Sequence, residues 1–150
     1  MAYTHGHIIP LVGGSVVGTS VALGSEPEWI ASWSSVFGAN DQYCLQYMDK
    51  VPFYDFDEKQ FPSSRVDIVT SLPPCAGLSM ANTTSGDKAN NPRGCSAPSN
   101  MHMYNAAEFA MQKIQPKAIM VENAPALYSK MGEEFAERIN TLAQDNGYTM

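Results

Sequence analysis

A chain of 150 residues is long enough to form one compact domain, burying about 68–70% of its unfolded surface with no staple needed. With 44% hydrophobic and 16% charged residues it is not a disordered chain, and no run reaches the ~20 apolar residues of a membrane span. A net charge of −6 argues against a protein that grips nucleic acid through a broadly basic surface.

The amino terminus has no basic segment followed by an apolar stretch, so a cytoplasmic protein is the default expectation. His5 and His7 alternate, so a strand would point both to one side, and such an amino-terminal pair is expected to be exposed and incidental. In chain order, apolar runs predict strands near 7–12, 29–33, 51–54, 66–72 and 117–121. Between and after them, helices are predicted near 15–23, 40–48, 100–114 and 126–146. Gly147 fits a left-handed helix stop, after which Tyr148 is expected to open another strand. The alternation predicts an α/β fold, doubly wound, with a mostly parallel sheet and helices on both faces. The long polar stretch 76–99, rich in Asn, Ser and Gly, reads as a functional or solvated loop. Cys44, Cys75 and Cys95 are odd in number and make no zinc-type spacing with His5, His7 or His102, so neither a disulfide framework nor a metal is expected.

Two motifs carry chemistry. Leu72-Pro73-Pro74-Cys75-Ala76 places a lone cysteine just beyond a predicted buried strand. Cysteine is a strong nucleophile even without assistance, and a strand end facing a cleft suits covalent catalysis; a small buried hydrophobe is the competing reading. The next strand ends in Glu122-Asn123-Ala124-Pro125. In a parallel sheet the carboxyl ends of strands share one rim, so Cys75 and Glu122 are expected to face a common crevice as nucleophile and acid. Alternatively Glu122 favours the start of the next helix, where Pro125 also fits.

Strand, Pro-Pro-Cys, Gly77-Leu78-Ser79, then a helix, then a strand and Glu-Asn-Ala-Pro resembles the catalytic core of DNA cytosine-5 methyltransferases. Asn91-Pro92-Arg93-Gly94 and Gln115-Pro116-Lys117 fit the same pattern, and the resemblance runs from about Ile8 to Met150. It implies a Rossmann-like fold dependent on S-adenosylmethionine, with Cys75 adding to C6 of a flipped cytosine and Glu122 bonding N3. It further implies cofactor contacts from Gly13, Gly14, Ser15, Trp33, Asp57 and Pro73, with Asp55 the near rival of Asp57. Substrate contacts are implied for Ser79, Arg93 and Asn123, with the segment after the cysteine closing over the base. Double-stranded DNA is the implied partner, and host protection or restriction the implied setting.

There are departures from the pattern. Ile9 and Leu11 stand where that family usually has phenylalanine and glycine, and Glu28-Trp29-Ile30-Ala31-Ser32-Trp33-Ser34-Ser35 has no carboxylate after its strand. The family's Gln-Arg-rich motif, target-recognition region and closing helix have no match here. The chain is therefore read as an incomplete catalytic domain, expected to need a complementary carboxyl-terminal region or subunit for activity. Other readings are a catalytically inert relative that binds a partner, or an unrelated enzyme using Cys75 with His102.

Overall fold

A computed structural model describes residues 3–36, 51–79 and 94–150 of the protein. The helix predicted near 40–48, together with Cys44 and Arg93, lies outside the described residues. Among the described residues five parallel strands form one sheet: β1 (His5–Ile8), β2 (Trp29–Ser32), β3 (Phe53–Asp55), β4 (Ile68–Ser71) and β5 (Ala118–Val121). Their order is β3-β2-β1-β4-β5. The chain thus steps outward from β1 to β3 and then returns to the other side of β1, which puts a topological switch point between β1 and β4. The α-helices among the described residues are α1 (Gly14–Leu23), α2 (Asn100–Phe109) and α3 (Glu133–Asp145). The architecture is α/β and Rossmann-like.

Strand bounds differ from expectation by a few residues, most at β1. It ends at Ile8 instead of running to Val12, because Ile9 (φ 55°) and Leu11 (φ 48°) leave the extended region on either side of Pro10. The Gly13 amide then donates to the Pro10 carbonyl at 2.9 Å, closing a tight turn. α1 stops at Gly24 (φ 67°), whose amide returns to the Ser20 carbonyl.

The residues of 126–146 do not form one helix. A 3₁₀ turn, Pro125–Tyr128, comes first. Ser129 is extended there; its hydroxyl donates to the Ala126 carbonyl at 2.8 Å and accepts from the Met131 amide at 3.2 Å. This local bonding competes with helix and holds α3 back to Glu133. α2 likewise changes character, ending in a π-helical turn over Ala110–Ile114 before Pro116. The expected strand at Tyr148 is absent, since 148–150 form no strand. The Gly147 amide donates to Gln144 and the Tyr148 amide to Ala143, with Gly147 left-handed (φ 80°). That is a Schellman closure, so Tyr148 is spent finishing α3.

The chain divides into two compact units. The first, Met1–Leu72 with Ile114–Met120, contains the sheet up to Met120 and α1. Its interior is Ile8, Ile9, Val16, Trp29, Ile30 and Val69. The second, Pro73–Lys113 with Val121–Met150, contains α2 and α3. There Met103, Ala106, Ala107 and Ala110 are buried from α2 and its extension, and Phe135, Ile139, Leu142 and Ala143 from α3. The last four recur at helical spacing, one apolar stripe on an otherwise polar helix.

His5 and His7 correct another expectation. Both are fully buried in β1. His7 pairs in register with Thr70 of β4, and its Nδ1 lies at bonding distance from the Thr70 hydroxyl. His5 Nδ1 meets His7 Nε2 at 2.9 Å, and His5 Nε2 meets the Ser25 carbonyl at 3.0 Å. A carbonyl only accepts, so His5 carries its proton on Nε2, and neutral rings then fix every other direction. His7 Nε2–H donates to His5 Nδ1, and the Thr70 hydroxyl donates to His7 Nδ1. An alternating His-Gly-His in a central strand is therefore a satisfied buried network, which the residue types alone do not distinguish from an exposed pair.

Candidate active site

Of the residues singled out in the sequence, Pro73, Cys75, Ser79, Glu122 and Asn123 fall in the second unit. Cys75 follows β4 by four residues and is an exposed free thiol. Its carbonyl accepts the amides of Leu78 at 2.9 Å and Ser79 at 2.8 Å, so the thiol stands at the start of one tight turn. Leu78 is buried beneath that turn. Pro73 is buried and Ser79 half-buried.

Glu122 immediately follows β5 and is exposed. Asn123 ties the two motifs together: its Nδ2 donates to the Pro73 carbonyl at 3.4 Å, while its Oδ1 accepts the Ala124 amide at 2.8 Å. The side chain therefore links the backbone just ahead of Cys75 to the backbone just after Glu122. Pro125 begins the 3₁₀ turn, which fits its preference for a first helical position. The thiol and the carboxyl group both leave strand ends adjacent in the sheet, and both are open to solvent.

Gly13, Gly14, Ser15, Trp33 and Asp57 lie in the first unit. Gly13 holds φ 86° at the start of α1, a conformation glycine adopts without penalty, and a Cβ at Gly14 would meet nothing within 4 Å. Leu72 donates to the Ile9 carbonyl at 3.3 Å, joining the turns after β1 and β4 at the switch point. Trp33 is half-buried and packs edge-on against Phe56, with ring centres 4.6 Å apart.

Asp57 Oδ2 accepts the Ser35 amide at 2.8 Å and the Ser34 hydroxyl at 3.3 Å. Asp55 Oδ1 accepts the amides of Ser34 at 3.1 Å and Asp57 at 3.0 Å. The loop after β2, without a carboxylate of its own in sequence, thus has two brought to it from the end of β3. Sequence spacing hides this, because it depends on strand pairing of β2 with β3.

Two groups outside these motifs, His7 and Asp67, have shifted pKa values. Burial, with a smaller contribution from neighbouring His5, lowers the His7 pKa to about 3. Asp67 is held at about 2, chiefly by its bond to Lys117 at 2.7 Å and then by the Thr4 amide. Among the described residues no group of three or more His, Cys, Asp or Glu is arranged to hold a metal ion. No described helix is long and apolar enough to cross a membrane.

The family model for C-5 cytosine-specific DNA methylase matches residues 20–150. That span takes in both motifs and begins beyond the Gly13-Gly14 turn. No curated protein matches the chain. With most of its length matched, and with the sheet order and the two strand-end motifs described above, the chain belongs to the C-5 cytosine-specific DNA methylase family.

Proposed function

We propose that the chain carries the nucleophile and acid of a DNA cytosine-5-methyltransferase, with Cys75 and Glu122 in those roles. The observation that carries this reading is the Asn123–Pro73 bond, which fastens the cysteine motif to the glutamate motif while Cys75 stays exposed. The Cys75 thiolate adds to C6 of the cytosine, forming a C–S bond and moving an electron pair toward C5 and N3. Glu122, as a carboxylic acid, donates to N3 and stabilises that charge. S-adenosylmethionine would supply an electrophilic methyl group for C5. Loss of the C5 proton to solvent then returns its electron pair to the ring, and the C–S bond breaks to release the thiolate. The target base must leave the duplex for this, at about a few kcal/mol. Ser79, Arg93 and Asn123 are the proposed substrate contacts.

Features of the first unit support S-adenosylmethionine as the cofactor. The turn through Gly13 leaves open space beside Gly14, which opens α1 with Ser15 next to it. Asp57 is an exposed carboxylate just beyond β3 and Trp33 offers an apolar face, while the role of Pro73 is carried over from the family pattern alone. The test is release of tritium from DNA labelled at cytosine C5. Wild-type protein, with any further region it naturally has, is expected to release it; Cys75→Ser abolishes release, and Glu122→Gln lowers it about 100-fold, the size of a lost general acid. Release undiminished in Cys75→Ser would contradict the proposal.

A second reading, an inert relative that keeps the fold, is favoured by the loop after β1, where Leu11 instead of glycine holds φ 48°. Calorimetry with S-adenosylmethionine separates the two, since the inert relative gives no binding heat.

A further inference from the structure

Three backbone approaches in the second unit share one logic. A Cβ at Gly77, two residues beyond Cys75, would lie 2.4 Å from the Ala97 Cβ and 2.9 Å from Asn100 Oδ1. A Cβ at Gly94 would lie 2.9 Å from the Met131 carbonyl oxygen, and one at Gly132 would lie 2.6 Å from the Leu127 backbone. Hydrogen bonds run along the same path: the Gly94 amide donates to the Gly77 carbonyl at 2.8 Å, and Asn100 Nδ2 donates to the Gly94 carbonyl at 2.8 Å. Cys95 Sγ reaches the Met131 carbonyl at 3.3 Å. Asn100 is fully buried, and its Oδ1 has no hydrogen-bond partner. Leaving a buried acceptor unpaired is costly, so the arrangement is not the product of polar satisfaction alone.

The path begins at the turn that holds the thiol and ends at Leu127, within the turn that follows Glu122-Asn123. We infer that Gly77 and Asn100 are positioning residues for Cys75: the socket formed by Ala97, Asn100 and Gly94 seats Gly77 and thereby sets the turn whose first residue is the thiol. Neither residue touches substrate. The inference rests on Cys75 being the nucleophile, since a passive thiol needs no fixed direction.

Two measurements on Gly77→Ala, the double variant Gly77→Ala/Ala97→Gly and Asn100→Ala test it. Hydrogen exchange at the Leu78 and Ser79 amides is expected to speed at least tenfold in Gly77→Ala. It should fall back toward wild type when Ala97→Gly removes the nearer clash, while α3 amides around Ile139 stay protected in all variants. Covalent trapping on duplex DNA containing 5-fluorocytosine, with S-adenosylmethionine, is expected to drop at least tenfold in step, although alkylation of Cys75 by iodoacetamide stays within about twofold. Unchanged exchange at Leu78 and Ser79 overturns the inference, as does wild-type trapping in Gly77→Ala. Should Gly77→Ala unfold and expose α3, Asn100→Ala, which removes one bond and adds no clash, carries the same two readouts. A wild-type protein that traps nothing contradicts the nucleophile reading instead, and the exchange result then judges the socket alone.

Discussion

Single residues set the chemistry and also the points of strain. Leu11 (φ 48°) sits in the left-handed region, which costs a residue with a Cβ about 1 kcal/mol or more. Leu11→Gly is therefore expected to be neutral or to stabilise the fold by up to about 1 kcal/mol in urea unfolding, even though glycine normally loses more chain entropy. A clear destabilisation would show that the Leu11 side chain contributes packing worth more than the strain. Cys75 and Glu122 stand out in the sequence as candidates because each stands alone after an apolar run, with proline beside or near it. Gly77 and Asn100 do not, because their significance lies in contacts with Ala97 and Gly94, and nothing in their local sequence marks those.

At the scale of the element, β1 makes the sharpest prediction. His7 is neutral when folded, with its pKa lowered to about 3, and an unfolded histidine takes a proton near 6.5. Between those values the unfolded state binds the extra proton, so stability is fully present above about pH 6.5 and falls as pH drops toward 3. The slope from this group is expected to begin near pH 7 at a fraction of its full size and to reach about 1.4 kcal/mol per pH unit in the middle of that window, at about pH 4 to 5.5. Asp67, lowered to about 2, contributes stability above its usual carboxylate range and loses it only below about pH 4, so its window is separate at the upper end. Urea midpoints at pH 7, 6 and 5 check this; His7→Gln should remove the slope whatever its own stability. A wild-type midpoint that does not move would contradict a buried neutral His7.

α3 gives a second element-scale test. Phe135 is 1% exposed, and Phe135→Ala should cost about 3–5 kcal/mol by loss of burial and creation of a cavity. The existence of α3 was legible from its apolar spacing, but its start was not, since Ser129 bonding to its own neighbours interrupts the run.

For the whole molecule, strand and helix alternation was enough to give the α/β class, and the order of described strands agrees with it. Burial of His5 and His7 was not legible, because pairing of β1 between β2 and β4 decides it and that pairing is non-local. Likewise the carboxylates of Asp55 and Asp57 reach the loop after β2 only through the β2–β3 register. Charge acts at this scale as well. With a net charge of −6, the chain by itself is expected to bind duplex DNA more weakly than about 10⁻⁵ M at physiological salt, at the weak end of non-specific binding, with a shallow salt dependence. Fluorescence anisotropy across a salt series reads both quantities; tight, steeply salt-dependent binding would show a concentrated basic surface that the net charge conceals.

The proposal as a whole stands on the thiol beyond β4 attacking the base, and peptide mapping of protein trapped on 5-fluorocytosine DNA tests that most directly. Fluorine at C5 cannot leave as a cation the way hydrogen leaves as a proton, so the C–S bond persists after methyl transfer. The expected result is one adduct per chain, on the peptide containing Cys75, and none in Cys75→Ser. An adduct on another residue, or an adduct that survives in Cys75→Ser, would contradict the account.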